Sequence, residues 1–139
     1  PGMGVMLPNG VLGIVRSTSH HFCRVISVLN SQSHVSAAIL RNSSFGTLTW
    51  DGKDPGILTL EEIPKHIVLQ KGDTVVTSGH SAIFPAGIPI GTVKNYYVPS
   101  GSNSFLVEVY LFADLSRINR AYIIRNKFWE EIQSLEEVE

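Results

Sequence analysis

The segment GDTVVTSGHSAIFPAGIPIGTV, residues 72–93, begins like a strand and continues into a loop in which glycine and proline alternate with large apolar side chains. Its glycines permit backbone angles and close approaches that a β-carbon would hinder, and Pro85 and Pro89 hold φ near −65°. Ile83, Phe84 and Ile88 are too many large apolar groups for a free loop, so we expect some of them to be buried. The pattern predicts a hydrophobic plug that closes one end of a β-barrel.

A second interpretation of the same loop is a contact surface. In that case part of the plug, with Phe84 and Ile88 as the leading positions, is exposed and docks on a partner protein. The two interpretations can hold for different side chains. The predicted partner-binding residues are Ile83, Phe84, Pro85, Ile88 and, beyond the loop, Tyr97.

The rest of the chain consists of short alternating stretches separated by turn residues, which is typical of an all-β protein. The Asp51-Gly52 turn indicates a hairpin between 46–50 and 57–61. Nine strands are predicted, at 11–16, 23–29, 34–40, 46–50, 57–61, 74–78, 89–98, 104–112 and 120–125. Strands at this spacing favour a barrel or sandwich over βαβ units. The first residues, PGMGVMLPNG, are predicted to be a loop.

We expect two small packed β-barrels. One is predicted to be built from residues 17–77 and the other from residues 1–16 plus 78–126. Residues 127–139 change period, because Phe128, Ile132 and Leu135 recur at helical spacing, and they predict a short C-terminal helix.

Composition excludes several classes of function. The chain has 139 residues and a net charge of −1, which leaves no basic excess for binding nucleic acid. Cys23 is the only cysteine, so an internal disulfide and a thiolate metal cluster are both excluded. The apolar runs are only a few residues long, whereas a membrane-spanning helix needs about 20.

A serine hydrolase is the alternative that the segment 78–81, SGHS, raises. Ser78 or Ser81 would be the nucleophile of such an enzyme. The local pattern lacks a G-x-S-x-G elbow, and a catalytic triad is defined by geometry, which the sequence alone does not supply. The bases that could serve are His20, His21, His34 and His80, and the orienting carboxylates are Asp51, Asp54 and Asp73.

A metal site at His20 and His21 is disfavoured, because adjacent residues of a strand point to opposite faces. A carbohydrate-binding module is disfavoured as well, because Trp50 and Trp129 lie on unrelated elements. We therefore expect neither a metal nor a cofactor.

Residues 72–93 resemble a segment of the extracytoplasmic domain of MreC-type rod-shape-determining proteins, in which G-D-x-V-x-T-S-G precedes F-P-x-G-[IL]-P-[IV]-G. Further stretches resemble the family in the same order. These are GVLGIVR at 10–16, RVISVLNSQSHVSAAILRN at 24–42, GTLTWDG at 46–52 and ADLSRINRAYII at 113–124. The resemblance covers most of the chain, and residues 72–93 are its most specific part.

The resemblance implies two β-barrels that are distantly similar in shape to chymotrypsin-like proteases but have no protease activity. It implies a scaffold of the bacterial cell-elongation machinery, located outside the inner membrane and anchored by a transmembrane helix outside this chain. The implied partners are a class B penicillin-binding transpeptidase, a glycan polymerase, MreB, MreD and further copies of the protein, as a homodimer or filament. A serine hydrolase of chymotrypsin-like fold remains the alternative.

Overall fold

The computed structural model of the protein describes residues 2–80, 83–113, 115 and 120–124. This described part contains ten β-strands and no helix. The strands are β1 (Gly4–Leu7), β2 (Gly10–Thr18), β3 (Cys23–Ser27), β4 (Val35–Ile39), β5 (Phe45–Thr49), β6 (Ile57–Pro64), β7 (Thr74–Thr77), β8 (Pro89–Tyr97), β9 (Ser104–Leu111) and β10 (Tyr122–Ile123).

Six strands close into a barrel in the order β4-β5-β6-β9-β8-β7. All of their pairings are antiparallel, and the barrel closes where β7 pairs with β4 on one side and with β8 on the other. Because every strand of a closed barrel has two neighbours, the barrel itself offers no free edge.

The barrel interior is filled by aliphatic side chains that alternate along the strands. Leu58 and Leu60 of β6 and Val107 and Val109 of β9 are at most 1% exposed. Both members of each pair face the interior, because side chains two residues apart in a strand point to the same side. An interior packed in this way is solid and excludes water.

The remaining strands form a four-stranded sheet in the order β10-β1-β2-β3. A second, smaller hydrophobic cluster supports it, made of Val5, Leu7, Leu12, Val15 and Ala113. The sheet lies against the barrel, since Val11 of β2 belongs to the larger core together with the barrel side chains.

The all-β class and a closed barrel are confirmed, and each of the nine predicted strands has a counterpart. β1 lies where a loop was expected, because the glycines and the proline around it masked a four-residue strand. The strands group differently from the expected units 17–77 and 1–16 plus 78–126, since β8 and β9 complete a barrel with β4–β7. The helix predicted at 127–139 lies outside the described residues.

Three glycines stand where one strand touches the backbone of the next. A β-carbon at Gly13 would overlap the carbonyl oxygen of Ile26. The same substitution at Gly46 would overlap the carbonyl oxygen of Glu61, and at Gly91 that of Tyr110. These positions therefore require glycine for close backbone approach.

In the described part of the chain no helix is long and apolar enough to cross a bilayer.

The pairing of β6 with β9 contains an irregularity between Leu60 and Ile63, where Glu62 has a φ of 71°. A non-glycine residue in this left-handed region is strained by roughly 1–2 kcal/mol. We expect Glu62→Gly to raise the free energy of unfolding by about 0.5–1 kcal/mol. Glycine removes the strain, and the larger backbone entropy that glycine loses on folding cancels only part of that stabilisation.

The matched control is Glu61→Gly at the neighbouring exposed position, which has no positive φ and should lower the free energy of unfolding by about 0.5–1 kcal/mol. Urea unfolding of both variants measures the difference. Equal destabilisation by the two substitutions would contradict a strained Glu62.

Candidate functional site: the loop between β7 and β8

Thr77 is the last residue of β7, and it fastens the loop that follows. Its side chain is 1% exposed. The hydroxyl donates to the carbonyl of Pro85 at 2.6 Å and accepts from the N–H of Ile88 at 2.9 Å. Its backbone carbonyl accepts from the N–H of Gly87, and its backbone N–H donates to the carbonyl of Ile88, each at 2.9 Å. One buried residue thus binds both arms of the loop.

The turn out of β7 depends on Gly79, which has a φ of 80°. A β-carbon at this position would also lie 2.7 Å from that of Ala86, on the returning arm of the loop. Glycine is needed here for both reasons, the left-handed backbone and the close contact.

Phe84 is the plug that the sequence predicted. It is 4% exposed and packs within the main core. Its ring lies over Gly4 of β1, where an added β-carbon would overlap the ring. The interpretation of Phe84 as an exposed docking side chain is therefore corrected, because the ring fills the junction between the barrel and the sheet.

The other partner-binding residues predicted from sequence differ in exposure. Pro85 and Tyr97 are exposed, whereas Ile83 and Ile88 are half-buried and pack against the main core. Tyr97 is the last residue of the nine-residue strand β8, which begins at the end of the loop, and the distance along the strand from Pro89 to Tyr97 is roughly 26 Å. The structure therefore brings Ile83, Pro85 and Ile88 together in one loop, with Tyr97 at a separate place.

Tyr96 is half-buried and Tyr97 is exposed, as expected for neighbouring residues that point to opposite faces of a strand. The Tyr96 hydroxyl donates to the carbonyl of Leu69 at 2.9 Å, and its ring meets that of Phe105 edge to face at a centroid distance of 5.4 Å. Tyr97 is 49% exposed. An exposed tyrosine of this kind is a common anchor in protein interfaces.

The side chains of Ser78 and His80 do not pair with each other. The Ser78 hydroxyl forms a hydrogen bond of 2.6 Å with the hydroxyl of Ser36 on β4, and it accepts from the backbone N–H of His80 at 3.2 Å. The His80 imidazole instead packs on the ring of Phe45, with centroids 4.0 Å apart. A general base must reach the hydroxyl proton at about 2.6–3.2 Å, so this geometry does not activate Ser78. Ser81 lies outside the described residues.

The three carboxylates considered as orienting groups are held in local turns. Asp51 accepts from the N–H of Lys53 at 3.0 Å and Asp54 from that of Gly56 at 2.8 Å. Asp73 pairs with the guanidinium of Arg41 at 3.0 Å. All three therefore serve the turns and the surface.

A pocket of about 250 Å³ lies beside the loop, where β2, β4 and β5 approach it. Its walls include Ile14, Val35 and Phe84, with His34 and Ser36 as polar members. Pockets of this apolar kind accept an apolar group more readily than a charged one.

His20 and His21 meet edge to face, with ring centroids 4.6 Å apart. Within the described ranges no group of three or more histidine, cysteine, aspartate or glutamate side chains could hold a metal ion.

Sequence reasoning missed three residues that build this site: Ser36, Phe45 and Gly4. Ser36 is 42 residues from its partner Ser78. A contact between residues so far apart in the chain leaves no pattern in the sequence around either of them. For Gly4 a signal did exist, because glycine inside an alternating stretch often marks a close packing partner.

A family model described as the rod shape-determining protein MreC, barrel core, matches residues 1–125. The chain belongs to the MreC family. Among curated relatives, the cell shape-determining protein MreC of Listeria monocytogenes is 30% identical over 90% of this chain. The MreC of Cereibacter sphaeroides is 30% identical over 93% of it.

Solved structures agree with this assignment. The chain superimposes on MreC of Listeria monocytogenes with a TM-score of 0.83 at 29% identity, covering 88% of this chain and 60% of that one. For MreC of Pseudomonas aeruginosa the TM-score is 0.81 at 25% identity, with coverage of 89% and 79%.

A third neighbour is a complex between penicillin-binding protein PBP2 and MreC from Helicobacter pylori. Its TM-score is 0.72 over 87% of this chain and 75% of that one, and at 20% identity it shows the fold alone. The chain spans 43% of the Listeria relative and 39% of the Cereibacter relative in the sequence comparison.

The anchoring role of Thr77 can be tested with the isosteric change Thr77→Val. It leaves the Pro85 carbonyl and the Ile88 N–H without their partner, so we expect the free energy of unfolding to fall by about 1–3 kcal/mol. The control Thr92→Val, at a half-buried position of β8, should change it by less than about 0.5 kcal/mol. Chemical denaturation measures both, and similar values for the two variants would refute the role.

Proposed function

We propose that this domain is a non-enzymatic scaffold of the bacterial cell-elongation machinery, acting by protein–protein contact in the maintenance of rod shape. The family match over residues 1–125 is the observation that carries this proposal. The arrangement around Ser78 supports it, because its hydroxyl pairs with Ser36 while His80 stacks on Phe45.

The proposed partners follow from the family. The first is a class B penicillin-binding transpeptidase, and a fold neighbour of this chain was solved in complex with a penicillin-binding protein. The others are the glycan polymerase of the elongation machinery, MreB, MreD and further copies of the chain as a homodimer or filament. The proposed location is the extracytoplasmic side of the inner membrane.

The proposed contact residues are those that remain accessible. In the loop they are Pro85, with Ile83 and Ile88 contributing their accessible parts. At the other end of β8 they are Tyr97 and the adjacent Val98, which are 49% and 40% exposed. Tyrosine is among the residues enriched at the energetic centres of protein interfaces, so Tyr97 is the leading contact of this pair.

Tyr97 provides the test of partner binding. We expect the purified domain to bind the extracytoplasmic part of the class B transpeptidase of the same organism. Tyr97→Ala should raise the dissociation constant at least tenfold, equivalent to about 1.4 kcal/mol. Biolayer interferometry with the immobilised transpeptidase measures this.

Tyr122→Ala is the matched control, since Tyr122 is 48% exposed and lies on the four-stranded sheet. The dissociation constant of this variant should stay within a factor of two of that of the unmodified chain. Absence of any binding by the unmodified chain would count against the transpeptidase as partner. Equal weakening by the two substitutions would remove Tyr97 as the contact.

The serine hydrolase is tested separately. A fluorophosphonate probe reacts with serines whose hydroxyl is activated by a base. We expect mass spectrometry to find no adduct at Ser78 or Ser81 under conditions that label chymotrypsin to completion. An adduct at either serine would overturn the scaffold proposal.

A further inference from the structure

The end of the β2–β3 hairpin projects beyond the rest of the four-stranded sheet. β1 begins opposite Ile14 of β2, and the last backbone contact on that side is the hydrogen bond of 2.7 Å from the N–H of Gly2 to the carbonyl of Val15. Beyond it, among the described residues, the two arms of the hairpin pair only with each other. Residues 16–24 form this hairpin tip, and all of them are exposed. The surface of the tip is therefore available to another molecule.

The hairpin tip is basic. It carries Arg16 and Arg24, and the first 50 residues of the chain contain no aspartate or glutamate. Neither arginine side chain forms an ion pair or a hydrogen bond with another described residue. A guanidinium without a carboxylate partner is free to bind an anion, and its planar set of donors matches the oxygens of a phosphate in particular.

An aromatic residue lies in the chain between the two arginines. Phe22 is 80% exposed, more than any other large apolar side chain in the described part of the chain. His20 and His21 occupy the turn beside it, with their ring centroids 4.6 Å apart. An exposed ring flanked by cations is typical of surfaces that enter a membrane interface, where the ring meets the acyl chains and the cations meet anionic headgroups.

Hydrogen-bond donors of the tip meet at a surface pocket. The pocket has a volume of about 230 Å³ and is lined by Ser17, Thr18, Ser19, Phe22, Cys23 and Arg24. Ser17 lies opposite Arg24 in the strand register, so the two side chains share one face of the hairpin. The hydroxyl of Ser19 accepts from the N–H of Phe22 at 3.2 Å and holds the turn.

The remaining polar groups of the pocket suit a phosphate. The hydroxyls of Ser17 and Thr18 have no hydrogen-bond partner among the described residues. Together with the guanidinium of Arg24 they can donate to the oxygens of one phosphate group. The pocket thus offers donors and positive charge beside an exposed apolar ring, which is the chemistry of a phospholipid rather than of a free anion.

The size of the tip favours a bilayer over a protein partner. A stable protein–protein interface takes about 20–30 residues from each side, whereas the hairpin tip has nine. A small projecting tip with one large apolar group can enter a bilayer interface, and its positive charge complements anionic lipids.

We propose that the hairpin tip binds anionic phospholipid, with Phe22 in the acyl layer, a lipid phosphate held by Ser17, Thr18 and Arg24, and Arg16 facing neighbouring headgroups. This inference rests on the proposed extracytoplasmic location, which places the domain beside the inner membrane.

Vesicle binding by the unmodified 139-residue chain tests the proposal directly. We expect the chain to cosediment with mixed phosphatidylethanolamine and phosphatidylglycerol vesicles at least about tenfold more strongly than with phosphatidylcholine vesicles, because each arginine near an anionic surface contributes about fivefold. Binding should fall with added salt, since the Debye length shrinks from about 10 Å at 0.1 M to about 3 Å at 1 M. Equal binding to both kinds of vesicle, or to neither, would overturn the proposal.

The role of the ring is tested by Phe22→Ala. It should weaken binding to the anionic vesicles at least about tenfold, because the ring no longer leaves water for the acyl layer. The control is Val68→Ala, at an apolar side chain that is 69% exposed on the loop between β6 and β7 and should leave binding unchanged. Equal effects of the two substitutions would remove the tip as the membrane contact.

The role of the charges is tested by Arg16→Gln/Arg24→Gln, which should also weaken binding at least about tenfold. Lys53→Gln/Lys71→Gln removes the same net charge from exposed loops of the barrel. This control should change binding less than about twofold, because charges farther than a Debye length from the surface are screened. Similar losses in both double variants would show that only the overall charge matters and would contradict a site at the tip.

The native Cys23, exposed on the tip, reports which part of the domain meets the bilayer. An environment-sensitive nitrobenzoxadiazole label attached to it should shift its emission to the blue when anionic vesicles are added. The same label in Cys23→Ser/Lys53→Cys, where it lies on the barrel, should show no shift. Equal shifts at the two positions, or none at Cys23, would overturn the proposal.

Other occupants of the hairpin tip have distinct outcomes. Inorganic phosphate that shifts the backbone N–H signals of Ser17 and Thr18, in a chain that does not bind vesicles, would assign the pocket to a free anion and overturn the proposal. Loss of transpeptidase binding in Phe22→Ala, again without vesicle binding, would assign the tip to that partner and overturn it as well. Transpeptidase binding through Tyr97 is measured without lipid, so failure of the scaffold proposal and failure of the membrane contact are told apart.

Discussion

The barrel of this protein can close only if the chain reverses direction within the eleven residues between β7 and β8. β7 pairs with β4 on one side and β8 on the other, so it is the strand through which the ring of hydrogen bonds is completed. The buried hydroxyl of Thr77 satisfies the carbonyl of Pro85 and the N–H of Ile88 at that point. Buried polar groups of the backbone need such partners, and here one side chain supplies both.

The same loop joins the barrel to the sheet. Phe84 leaves the loop and covers Gly4 of β1, so that the ring belongs to the barrel core while touching the first strand of the sheet. The closure and the packing of the two parts therefore rest on one short segment. Residues 72–93 are also the stretch whose resemblance to the family is the most specific. Their residue types are required by backbone geometry and by the shape of the junction.

The sequence was sufficient for the class and for the positions of most strands, because half-buried strands alternate with a period of two. The sequence was insufficient where a structural feature depends on residues far away in the chain. β1 resembled a loop because of its glycines and Pro8, and the ring that packs over Gly4 belongs to Phe84, 80 residues later. The grouping of strands likewise follows from long-range pairing, such as that of β6 with β9, which leaves no local pattern. For the site, the plug was predictable from composition, whereas the pairs Ser36–Ser78 and Phe45–His80 were not.

The strand-to-strand contacts at Gly13, Gly46 and Gly91 set limits on how the protein can change. Exchanges among valine, leucine and isoleucine in the interior alter volume little and cost less than about 1.5 kcal/mol when the total volume is kept. A side chain at any of the three glycines meets a carbonyl oxygen of the next strand. The interior therefore tolerates exchanges of similar volume, whereas a side chain at any of these backbone crossings would force two strands apart, so the spacing between strands is fixed by positions that have no side chain.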